Sequence, residues 1–89
     1  MNNRFEVTPQ VHARHFQDEV VVLDLGAGKY FSLDAVGSTV WEQLTLGKTV
    51  EEAAEAVVAE YEVDLPTAMA DVARLVSELV GAGLLATRP

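Results

Sequence analysis

Residues 20–33, VVVLDLGAGKYFSL, restrict the fold more than any other stretch of this chain. VVVLDL (20–25) is β-branched and apolar on both faces until Asp24, the pattern of a strand in the middle of a sheet. Gly26-Ala27-Gly28 offers positive φ angles for a tight turn, so Lys29–Leu33 is expected to return antiparallel as the second arm of a hairpin. Upstream, VHARHF (11–16) alternates apolar and polar residues with period two, as a half-buried strand does. Three antiparallel strands therefore occupy the first third of the chain, over about residues 11–33.

The remainder has helical periodicity. Asp34 is placed to cap a helix over about 34–46, with Val36, Val40, Trp41 and Leu44 on one face and Gly47 at its end. Thr49 and Glu52 have the spacing of a capping box and open a second helix over about 50–61. Its Val50, Ala53, Ala54, Val57, Val58 and Tyr61 form a stripe that leaves the glutamates to water. Asp64 caps a third helix over about 65–81, tolerating Pro66 in its first turn and stopping at Gly81 and Gly83. On that helix Leu65, Met69, Val72, Val76 and Leu79 make one stripe, widened by Ala68, Leu75 and Ala82. Such a width fits a helix lying beside a sheet edge, and equally one buried between two neighbours.

Eighty-nine residues make one domain, 1–89, of class α+β: a winged-helix-like arrangement of a three-stranded antiparallel sheet followed by a three-helix bundle. There is no cysteine, hence no disulfide and no thiolate metal site. No apolar run approaches the roughly 20 residues that cross a bilayer. MNNRFEVTPQ lacks the apolar centre of a signal peptide, so the expected location is the cytoplasm, away from membranes. Fourteen acids against six bases give a net charge of −8. Residues 49–64 hold six acids and no base, whereas residues 1–33 are nearly balanced. The strand-rich end is thus left free of the acidic surface.

Catalytic and metal chemistry find no support. His12 and His15 fall on opposite faces of a strand, and zinc would need two more ligands. Ser32, Ser38 and Ser77 have no histidine at motif spacing. Asp18/Glu19 and Glu51/Glu52 are adjacent carboxylates that point apart and read as solvated surface. GAGK (26–29) lacks the full phosphate-loop pattern and runs into a strand, not a helix. No enzyme activity, metal or cofactor is expected. The fold class also admits a winged helix that reads DNA. Its recognition helix would carry Asp71, Arg74 and Glu78, and its wing only Lys29, so nucleic acid is a poor partner.

The ordered series VVLDLGAGKYFSLDAVGSTVWEQL, KTVEEAAEAVVAEYEVD and DVARLVSELVGAGLL resembles the PqqD-like proteins over about residues 19–85. These are stand-alone recognition domains for ribosomally made, post-translationally modified peptides. The G-x-Y-x-x-L strand with a tryptophan downstream (Gly28, Tyr30, Leu33, Trp41) is most similar to the lasso-peptide members.

The resemblance implies a binder of a precursor's leader peptide. The leader would add as a further strand beside Lys29, Tyr30, Phe31, Ser32 and Leu33, in a groove against the third helix. On the strand, Phe31 and Leu33 share one face and Tyr30 and Ser32 the other, so about half of them cover the core. On the helix, Asp71, Arg74, Leu75 and Glu78 lie nearest the edge and are the expected leader contacts, with Arg74 available to a leader carboxylate. The implied partners are a cysteine-protease-like leader peptidase and an asparagine-synthetase-like cyclase. The other branch of the family would serve a radical enzyme instead. A monomer is expected; a homodimer through the exposed edge of Lys29–Leu33 is the alternative.

Overall fold

In the computed structural model, which describes residues 4–88, the central strand and its hairpin form as the sequence demands. Strands β2 (Val11–Phe16), β3 (Glu19–Asp24) and β4 (Lys29–Leu33) make an antiparallel sheet in that order, with β3 in the middle. The register pairs Val20 with Leu33 and Val22 with Phe31 on the inner face, and Val21 with Ser32 and Leu23 with Tyr30 on the outer. Val20 and Val22 are fully buried, while Tyr30 is 70% exposed. Between β3 and β4 only Gly28 uses a positive φ (70°). The Asp24 carbonyl accepts from Gly28 N–H at 2.9 Å, and its carboxylate accepts from Ala27 N–H at 3.1 Å. Gly26 does not use a positive φ, and only the flexible end of Gln10 stands close to it. A Cβ there would stand 2.8 Å from the Gln10 side-chain oxygen.

Three helices follow: α1 (Ala35–Thr45), α2 (Val50–Glu60) and α3 (Leu65–Gly81). Each begins at the expected cap. Asp34 accepts from Gly37 N–H and Asp64 from Thr67 N–H, both at 2.8 Å. Thr49 and Glu52 close the capping box from both sides, at 3.2 and 2.9 Å. The Thr49 backbone N–H, and then its hydroxyl, hold the Glu52 carboxyl below the usual carboxylate range. Gly47 and Gly83, with φ of 88° and 80°, turn the chain after α1 and α3.

The sequence reading contains no strand outside residues 11–33, and here the structure adds to it. β1 (Arg4–Val7) and β5 (Leu85–Arg88) pair antiparallel as a separate two-stranded ribbon, Arg4 opposite Arg88 and Val7 opposite Leu85. Four residues are too few to display a period, and each strand exists only because the other end of the chain arrives beside it. The ribbon contributes buried Phe5 and Leu85 to the core.

One core joins the sheet's inner face, the ribbon and the helices, with Trp41, Leu44, Ala53, Val57, Val72 and Val76 at its centre. Three residues assigned to the apolar stripes are displaced from it, one of them Ala82, exposed just past α3. Leu65, in the first turn of α3, is 45% exposed, and Val36, in the first turn of α1, is 36% exposed. Helix α1 packs on β3 and β4, and α3 on α2 and β5. Helix α3 therefore flanks the sheet without closing over β4.

Candidate functional site

The space left between β4 and α3 is a groove of about 770 Å³, within the range of specific ligand sites. One wall is Tyr30, Phe31, Ser32 and Leu33 of β4; the other is Asp71, Arg74, Leu75 and Glu78 of α3. The residues on α3 stand at i, i+3, i+4 and i+7, so one face of that helix carries them all. Eight of the nine residues singled out from the sequence thus meet in a single groove. The ninth, Lys29, is exposed at the start of β4 and lies outside its lining.

The floor is apolar and is built from residues that the sequence reading did not single out as leader contacts. Val40 of α1, Val57 of α2, Val72 and Leu79 of α3, and Leu84 beyond it all line the groove and are buried. Val36 and Val63, each 36% exposed, sit at its border. For Val63 a signal was present in the sequence. It is one apolar residue in an otherwise acidic connector, Glu62-Val63-Asp64, where a loop has no need of it. Trp41 is buried in the core and is absent from the lining, so it supports the groove from beneath.

The strand wall has an open backbone edge. Among the described residues β4 pairs with β3 on one side only, so the N–H and C=O groups on its other side have no strand partner there. Its far end is fixed by α1. Ser38, 4% exposed, accepts a hydrogen bond from Val20 N–H at 2.8 Å and donates one to the Leu33 carbonyl at 3.2 Å. Val20 and Leu33 are the last pair of the β3–β4 register, so one hydroxyl bridges the end of the ladder. Gly37 lets α1 approach this closely: a Cβ there would lie 3.4 Å from the Leu33 Cβ and 3.2 Å from the Asp34 carboxylate.

Four charged residues, Asp34, Asp71, Arg74 and Glu78, line the groove. Arg74 Nη2 lies 3.5 Å from Asp71 Oδ1, so the guanidinium proposed for a leader carboxylate already has an anionic neighbour on its own helix. A second, smaller concavity of about 370 Å³ lies by the β2–β3 turn and is polar, with His15 Nε2 3.2 Å from the Glu42 carboxylate. It has no open strand edge beside an apolar floor.

The family model for coenzyme PQQ synthesis protein D (PqqD) matches residues 19–85, which run from the start of β3 to the start of β5. This chain belongs to the PqqD family. Two solved structures are similar to the PqqD-family fold seen here. TbiB1, in complex with the TbiA(beta) leader peptide, is 44% identical over 90% of this chain and 93% of its own, with a TM-score of 0.84. A lasso peptide synthetase B1, complexed with the leader peptide, is 26% identical over 93% and 98%, with a TM-score of 0.86. Among curated proteins none matches. The family model leaves out β1, so the N-terminal half of the ribbon lies outside the matched region.

Proposed function

We propose that this PqqD-family protein binds the leader segment of a ribosomally made precursor peptide and performs no chemistry of its own. The leader adds as a strand to the open edge of β4 and buries alternate side chains in the groove against α3. One observation carries this reading: the unpaired strand edge and the apolar groove are adjacent, and β4 belongs to both. Backbone pairing then supplies affinity whatever the sequence, and the floor supplies selectivity. The two similar structures, both leader-peptide complexes, support the same ligand class for this chain.

We further propose that delivery is to lasso-peptide maturation, with a cysteine-protease-like leader peptidase and an asparagine-synthetase-like cyclase as partners, and that the protein acts as a monomer in the cytoplasm. Among the described residues no helix is long and apolar enough to cross a membrane. The radical-enzyme branch of the family remains the competing assignment for the partner enzymes. A peptidase gene and a cyclase gene beside a short precursor reading frame would favour the lasso assignment, and a radical-enzyme gene the other.

The binding test uses the TbiA(beta) leader peptide as probe, with calorimetry on the protein and two variants. Leu75→Ala trims a half-buried groove residue and should weaken binding by roughly 1–3 kcal/mol. Glu55→Ala, on the exposed face of α2, should leave the affinity unchanged. Circular dichroism must show both variants folded. Loss of binding in folded Glu55→Ala with retention in Leu75→Ala would put the peptide on another face.

A further inference from the structure

We infer that the groove selects peptides carrying lysine or arginine next to their apolar strand residues, and that Glu78 is the residue that reads this charge. The inference rests on the peptide-binding reading above and deepens it.

Three carboxylates, Asp34, Asp71 and Glu78, line the groove against a single guanidinium, Arg74. Two of the three are engaged within the protein. Asp34 caps α1 through Gly37 N–H, and Asp71 is the neighbour of Arg74. Glu78 is the exception, having no ion-pair partner among the described residues. It lies one helical turn beyond Arg74, on the same face of α3 and beside Leu75, which is half-buried against the core.

A strand laid between β4 and α3 would remove part of this rim from water. Glu78 would then lose hydration, and a hydrogen-bonded cation offsets that loss more fully than a neutral donor does. An acidic peptide would meet like charge, and a neutral one would cover an unmatched carboxylate. A lysine or arginine brings the missing partner, with the arginine fork matched to a carboxylate. The rest of the protein reinforces the preference weakly. A net charge of −8 attracts cations in general, but at about 0.1 M salt such attraction is screened beyond about 10 Å.

A library of random peptides displayed on phage, selected separately against the protein and two charge-reversal variants, tests this without knowledge of the natural leader. Glu78→Lys and Glu55→Lys change the net charge equally, and both sites are exposed helix positions where lysine is as good a helix former as glutamate. The wild-type selection should enrich apolar, strand-forming peptides with an excess of lysine and arginine over the starting library. That excess should vanish with Glu78→Lys and persist with Glu55→Lys. The winning peptides should bind Glu78→Lys about two- to tenfold more weakly than the unaltered protein. Enriched peptides without the basic excess, or an excess that survives Glu78→Lys, would overturn the inference and leave the groove reading standing. No enrichment of any peptide would overturn the groove reading and this inference together.

Discussion

Ser38→Ala measures how far the groove's strand wall depends on a hydroxyl donated by α1. Its removal strands Val20 N–H and the Leu33 carbonyl in a region where Val20 is 1% and Leu33 8% exposed. A buried polar group deprived of its partner costs about 1–3 kcal/mol, so at the low end of that range the two groups together cost about 2 kcal/mol. Alanine inside α1 is a better helix former than serine and returns about 0.5 kcal/mol. The net loss is about 1.5 kcal/mol. For a domain of this size each kcal/mol shifts the melting temperature by roughly 4–8 °C, so a fall of about 6–12 °C is expected. Thermal unfolding followed by circular dichroism gives the number, and hydrogen exchange localises it. The Val20 amide should lose protection while amides in the middle of β3 keep theirs. A melting temperature within about 2 °C of the unaltered protein would refute the argument, because it would mean that the ladder closes directly between Val20 and Leu33.

Three further outcomes follow from charge and the open edge. The Thr67 hydroxyl, and after it the Thr67 N–H, hold the Asp64 carboxyl below its usual range. Such a depressed group contributes stability that is present above its unfolded pKa, about 4, and is lost as pH falls through the lower folded value. The gap in urea midpoint between the protein and Asp64→Ala should therefore be constant near neutrality and narrow below about pH 4; a gap that widens there would contradict the cap assignment. Random duplex DNA should give no anisotropy change even at low salt, since α3 offers Asp71 and Glu78 beside its one arginine; tight, salt-steep binding would count against this. Light scattering over a concentration series should show a monomer throughout, whereas a dimer dispersed by the TbiA(beta) leader peptide would mean that β4 edges pair with each other.

Local signals made most of the fold legible. Asp34, Thr49, Glu52 and Asp64 announce helix starts through chemistry that acts within three residues, and each is found capping. The apolar run Val20–Leu23 marks a central strand, and β3 is central, although only its inner face, Val20 and Val22, is fully buried. The ribbon of β1 and β5 was not legible, because its pairing joins opposite ends of the chain and leaves no local pattern. The groove was half legible. Its rim could be read from the edge positions of α3, but its floor could not. Val40, Val57 and Val72 have the periodicity of core residues and are indeed buried. Only the spacing of α3 from β4 makes them a floor as well, and that spacing is a tertiary fact. Ser38 shows the opposite case. As one serine among several it carried no signal, and its importance comes from the register of two strands it does not belong to.

Among the described residues the sheet has two free edges, and the fold makes them unequal. β2 presents His12, Arg14, His15 and Phe16 to solvent, with charged and titratable groups of the kind that discourage a further strand. A peptide added there would gain backbone hydrogen bonds and little else, since no apolar groove runs alongside. β4 carries a charge only at its first residue, Lys29, and faces a floor that ends in Leu84. Leu84 is set by residues remote from the strand: its N–H donates to the Leu79 carbonyl at 2.9 Å, and its carbonyl accepts from Thr8 N–H at 3.1 Å, where the ribbon begins. The ribbon thus fixes one end of the floor, while Ser38 and Gly37 fix the wall at Leu33. Pairing energy is available at either edge, but only at β4 is it joined to side-chain burial. On the proposed reading, that coupling, more than the open edge itself, would direct a peptide to one side of this domain.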